Sequence, residues 1–107
     1  MERKGLSEAI AAFAAGAANL AVPAEAIAAA RRAFVDTVGV ILAGRNEPAV
    51  AIVQALLPPG DQALAWPGNR RLAAKDAALL NGVAGHVLDY DDVAQAGHPS
   101  VVLVPAI

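Results

Sequence analysis

The residues able to do chemistry gather in one window near the end of a 107-residue chain: His86, Asp89, Tyr90, Asp91, Asp92, His98 and Ser100. Three carboxylates within four residues repel one another unless they are solvated, paired or bound to a cation. The plainest reading is a solvated acidic loop between two helices, with Asp92 or Ser100 capping. An EF-hand loop does not fit, because Val93 stands where the third ligand belongs and no glutamate follows. His86, His98 and Asp89 are donor types that a transition metal accepts, but their spacing is not diagnostic. Acid–base chemistry is the more concrete reading, because histidine changes charge near neutrality and suits proton transfer. His86 lies one helical turn before Asp89, which can orient a histidine or serve as a base itself. His98 precedes Pro99, the expected start of a helix, where free amides and the helix dipole favour an anion. A histidine there can hold and protonate a carboxylate; its plainer role is that of a cap residue. Asp91, Asp92 and His86 are expected to support the site, the aspartates by bracing the loop.

The elements that must position this window read as helices. Ser7 is the expected N-cap of a first helix running from Glu8 to Leu20, with Ile10, Phe13, Ala14, Ala17 and Leu20 on one face. Pro23 opens a second helix with the stripe Ile27, Phe34, Val38 and Ile41, Asp36 on the opposite side, and Gly44 as its C-cap. Pro48 starts a third, ending near Leu57, with Ala49, Ile52 and Leu56 facing inward. Pro58-Pro59-Gly60 is the clearest break in the chain. Residues 63–66 are expected to be briefly extended before the turn signal Pro67-Gly68-Asn69-Arg70. A fourth helix, 73–88, turns Ala77, Leu80, Ala84 and Val87 inward, and its Asn81, Gly82 and Gly85 allow close approach of a neighbour. Residues 89–97 form a polar loop, and Pro99 opens a fifth helix that continues to Ile107. The fold class is therefore all-α: a bundle of about five helices, residues 1–107, expected to be part of a larger helical domain.

Composition narrows the function. The chain is 57% hydrophobic and 17% charged, which excludes intrinsic disorder, but 28 of its residues are alanine, so the core is thin. Such faces, with the apolar run Val101–Val104, favour association with another copy or domain. A net charge of −2 excludes a strongly basic nucleic-acid footprint. With no cysteine there is no disulfide framework, zinc ribbon or thiol nucleophile, which fits the cytoplasm. The longest uncharged stretch, Ala9 to Ala24, is 16 residues, short of the about 20 a spanning helix needs. Met1-Glu2-Arg3-Lys4 looks like the start of an export signal, but Glu2 and Glu8 intrude and alanine makes a poor apolar region.

Three segments, in order, resemble one family. Phe34 to Gly44 is similar to the "DTxGxxxAG" helix of the MmgE/PrpD family, Ala77 to Asp92 to its "NGxxxHxLDxDD" segment, and Gly97-His98-Pro99-Ser100 with Val104-Pro105-Ala106 to its "HPS…VPA" segment. The family includes 2-methylcitrate dehydratase, cis-aconitate decarboxylase and iminodisuccinate epimerase. The resemblance implies proton chemistry on a di- or tricarboxylate without metal or organic cofactor. It also implies a large helical domain with a smaller α/β domain, and dimers. It places active-site roles on Asp89 and His98, with His98 and Ser100 toward the substrate. Where a threonine often follows the acidic pair in the decarboxylase branch, this chain has Val93. The family's further histidine, lysines and tyrosine lie beyond position 107, so the chain by itself is expected to be inactive. Dehydration, decarboxylation and epimerisation all stay open. The competing class is a short, non-enzymatic helical interaction or regulatory module.

Overall fold

In a computed structural model that describes residues 5–94 and 96–107, helix α1 (Leu6–Gly16) begins just before Ser7, with Gly5 at the N-cap. Residues 1–4, weighed above as a leader, lie outside the described residues, as does Gln95 of the polar loop. No residue of α1 is buried: Leu6, Ile10 and Phe13 are all exposed. A 3₁₀ turn at Ala17–Asn19 ends the segment, and the chain bends by 100° into α2 (Ala24–Gly44). Among the described residues no single helix is long and apolar enough to cross a membrane.

Helix α2 packs only through its C-terminal half. Its buried residues are Thr37, Val40, Ile41 and Gly44, whereas Ile27 and Phe34 of the expected stripe are exposed. The periodicity is sound, but among the described residues no neighbour crosses the first half of the helix to cover it. The Thr37 hydroxyl donates to the Ala33 carbonyl at 2.7 Å, so a polar side chain is accommodated in the helix interface. Gly44 is not a C-cap; it is the last helical residue, pressed against the backbone of Ala84. Arg45 takes the cap position and donates from Nη1 to the Leu42 carbonyl at 2.8 Å.

Helix α3 (Pro48–Leu56) starts at the expected proline but faces inward through Val50, with Val53 and Leu57 beside it; Ala49, Ile52 and Leu56 are exposed. Nearly every residue of this helix is apolar, so the pattern held no information about which face the neighbours would take. After the proline break comes a hairpin, of which only the first half was expected. Strand β1 (Ala63–Ala65) pairs antiparallel with β2 (Arg70–Leu72), in the register Ala63 with Leu72 and Ala65 with Arg70. The turn is set by Pro67 and by Gly68 at φ 74°, and the Asn69 amide closes it on the Trp66 carbonyl at 3.1 Å. Arg70 then reaches back to the Gln54 and Leu57 carbonyls at 3.3 and 3.1 Å, satisfying the end of α3.

Helix α4 (Ala74–His86) is the axis of the fold. Its expected inner residues Ala77, Leu80 and Ala84 are buried, and Val87 packs beside them. The core joins them to Ile41, Val50, Ala65 and Leu72, so α2, α3 and the hairpin all rest on this helix. A side chain from the hairpin serves its N-terminus: Gln62 Oε1 accepts from the Ala74 amide at 3.0 Å. Asn81 is buried and locks the hairpin down, its Oδ1 accepting from the Trp66 amide at 2.9 Å and its Nδ2 donating to the Leu64 carbonyl at 3.1 Å. At Gly85 an added Cβ would meet Val101 at 2.6 Å and Ile41 at 3.0 Å, so only glycine lets all three segments meet. Helix α5 (Pro99–Leu103) is shorter than expected and passes into a 3₁₀ turn at Val104–Ala106. Pro105 brings no amide and clashes with the preceding turn, which ends the α-helix. Five α-helices and one small hairpin among the described residues make the chain mostly helical.

Candidate active site

The end of α4 and the start of α5 bring the acidic loop and both histidines together. His86 is the last residue of α4, and the chain leaves the helix with the Asp89 amide donating to the His86 carbonyl at 2.9 Å. Asp89 sits at φ 55°, in the left-handed region that aspartate and asparagine tolerate better than most residues. This reversal projects its carboxylate outward, 80% exposed, while turning the next residues back beneath the histidines. Tyr90 also faces solvent.

Asp91 is the centre of the cluster. Its carboxylate is wholly buried, and both oxygens lie 3.1 Å from His86 Nδ1. His98 Nδ1 approaches the same carboxylate, 3.2 Å from Oδ2; that nitrogen is buried and makes no well-angled hydrogen bond. The two imidazoles meet edge to face with centroids 4.6 Å apart. The other nitrogen of His98, Nε2, lies 3.7 Å from Asp89 Oδ1, and this side chain is 26% exposed. His98 is thus reached from solvent on one side and held by a buried anion on the other.

Asp92 and Ser100 form a clasp. The Ser100 amide donates to Asp92 Oδ1 at 3.1 Å, and the Ser100 hydroxyl donates to Asp92 Oδ2. The start of α5 is therefore capped by a side chain of the loop, as expected of Asp92, and the amide pictured above as free for an anion is taken. Inside the clasp, Ala94 and Gly97 exchange amide–carbonyl hydrogen bonds at 2.9 and 3.1 Å.

Asp89, His98, His86 and Asp91, named from the sequence, therefore meet in space, with Asp92 and Ser100 adjoining. Ligand atoms of His86, Asp89, Asp91 and His98 all lie within 4.8 Å of one another. Such a set is sterically able to hold a divalent cation, though both Asp91 oxygens already face the His86 ring nitrogen. Burial sets Asp91 apart from Asp89 and Asp92 as the geometric centre, a difference that spacing along the chain does not reveal. The sequence reading passed over Arg31 and Arg32, which line a wide, open depression of about 680 Å³ together with Val35, Asp36 and Asp92. Two adjacent arginines in an alanine-rich helix were the available signal.

A family model described as the MmgE/PrpD N-terminal domain matches residues 8–107 of this chain. No curated protein and no solved structure matches it.

Proposed function

Because the chain belongs to the MmgE/PrpD family across residues 8–107, we propose that it is the N-terminal part of a lyase or isomerase that acts on a di- or tricarboxylate, contributing acid–base groups to its site. The observation that carries this reading is the meeting of Asp89 and His98, 3.7 Å apart across an accessible edge, in a member of this family. In a dehydration, Asp89 takes the proton from the carbon next to a substrate carboxylate. The released pair forms the new double bond as the hydroxyl leaves, protonated to water by His98. Decarboxylation uses the same groups: the carbon–carbon pair passes to the enolate-like carbon as CO₂ departs, and His98 returns a proton there. Epimerisation removes and returns the proton on opposite faces. Each route passes through an enolate-like state, and fixed charge around it dominates the rate.

The substrate's charge finds partners in this chain. His98 binds a carboxylate when it is not delivering a proton. Arg31 and Arg32 line a depression that extends to Asp92, next to the acid–base cluster, and planar guanidinium groups suit a carboxylate bound there. Ser100 spends its proton on Asp92, so its oxygen serves a substrate hydroxyl as acceptor rather than a carboxylate as donor. The reaction runs without metal or organic cofactor, in the cytoplasm, in a homo-oligomer, and is completed by the rest of the family's helical domain and by its smaller α/β domain.

The test is a substrate panel of 2-methylcitrate, cis-aconitate and iminodisuccinate, offered to the enzyme that carries this domain, with and without chelator. The expected result is chelator-resistant turnover of one of them. Asp89→Asn and His98→Gln each lower that turnover by about 10²–10⁴, the scale of an acid–base group. Near-normal turnover in both folded variants returns the region to a structural acidic loop. The second reading, an interaction module, draws on the uncovered apolar face of α1; it is selected if no polycarboxylate is turned over.

A further inference from the structure

The described geometry makes the buried Asp91, rather than the exposed Asp89, the group that orients the histidines. An ionised carboxylate only accepts hydrogen bonds, so a ring nitrogen facing it must carry the proton. His86 Nδ1 meets both oxygens of Asp91 in hydrogen-bond geometry at 3.1 Å, and His98 Nδ1 stands 3.2 Å from Oδ2 off the hydrogen-bond axis, with no other partner for that buried nitrogen among the described residues. No lysine or arginine lies within ion-pair distance of this carboxylate among the described residues, so the imidazoles are the donors available to it. A carboxylate taken wholly out of water is costly unless such donors meet it.

We propose that Asp91 is a positioning residue that holds both imidazoles in the Nδ1–H form and thereby leaves His98 Nε2 as the proton-transfer atom facing Asp89. The shared carboxylate also gives His86 a purpose. Its donated proton anchors Asp91, and its ring edge fixes the plane of His98 at a centroid distance of 4.6 Å. A buried carboxylate that selects an imidazole tautomer is an established way of preparing a general acid–base, and its loss leaves the ring in place with the wrong nitrogen protonated. This assignment rests on the proposed acid–base role of His98, but its first measurement does not.

That measurement is the long-range ¹⁵N–¹H spectrum of the histidine rings in the chain itself, above the pH at which the rings lose their charge. Both rings are expected as Nδ1–H in the native protein. In Asp91→Asn and Asp91→Ala, shown to be folded by circular dichroism, His98 moves toward the Nε2–H form that predominates in free histidine. An Nε2–H assignment for His98 in the native chain overturns the proposal even if neither variant folds, and so does an unchanged spectrum in a folded variant. In the active enzyme, Asp91→Asn lowers kcat by about 10²–10⁴ while KM stays within a few-fold. A rise in KM with kcat unchanged assigns Asp91 to substrate binding and overturns the positioning role. A tautomer change in a protein that turns over no polycarboxylate refutes the lyase reading and leaves the orienting role of Asp91 standing.

Discussion

Helices α1 and α4 are written in almost the same alphabet and end in opposite circumstances. Helix α1 carries the larger apolar side chains, Leu6, Ile10 and Phe13 on one face, and buries none of them. Helix α4 carries Asn81, Gly82 and Gly85, poor helix formers, and buries Ala77, Leu80, Asn81, Ala84 and Gly85. Apolar content therefore does not decide which helix becomes core. Close approach does: small side chains let the α2 and α5 segments come within van der Waals reach of the α4 backbone, and many short contacts replace the area that large side chains would bring. The chemistry sits at the end of the tightly held helix, where its geometry is fixed by that packing.

Substitutions grade this contrast. Leu80→Ala, at a fully buried position, should cost about 2–5 kcal/mol of unfolding free energy, read from the denaturant midpoint, because it opens a cavity where α4 meets its neighbours. A loss below 1 kcal/mol would mean that α4 is no more of a core than α1. Asn81→Ala should cost about 1–3 kcal/mol, since the Trp66 amide and the Leu64 carbonyl are left without their partner. Hydrogen exchange at the Trp66 amide should accelerate in the same variant. Phe13→Ser on the free helix should change stability by less than about 0.5 kcal/mol. It should, however, weaken the self-association expected of the wild-type chain in sedimentation. A strictly monomeric wild type at high concentration would show that the α1 face is not used between copies.

The sequence was most informative where residue type and backbone geometry agree. Pro23, Pro48 and Pro99 marked three helix starts, and the 3–4 spacing of Ala77, Leu80 and Ala84 identified the inner face of α4. His86, Asp89, Asp91 and His98 could be named because both histidines fall in this window, charges elsewhere are scattered, and their chemistry is written in their identity. Inside the cluster the reading stopped, since Asp89, Asp91 and Asp92 differ in burial, which depends on the left-handed turn at Asp89 and on the packing of α5. The face of α3 was misread because all its faces are apolar. Strand β2 went unseen because Arg70 and Arg71 look like turn and surface residues until they bind the carbonyls of α3 and of Asp61 and Gln62.

The Asp92–Ser100 clasp also has a polymer-physics consequence. It ties together the two ends of the segment that separates the aspartates from α5, so the loop between them is closed by side-chain and amide hydrogen bonds at its base. Closure entropy grows only logarithmically with the number of links, by about 0.6 kcal/mol per doubling. An insertion beside Ala96 therefore adds only a few tenths of a kcal/mol of closure entropy at the clasp, on top of the Ala94–Gly97 hydrogen bonds that it would open, while Asp92 and Ser100 keep their mutual geometry. The length of the loop tip is free to drift in a way that the backbone on either side of the clasp is not.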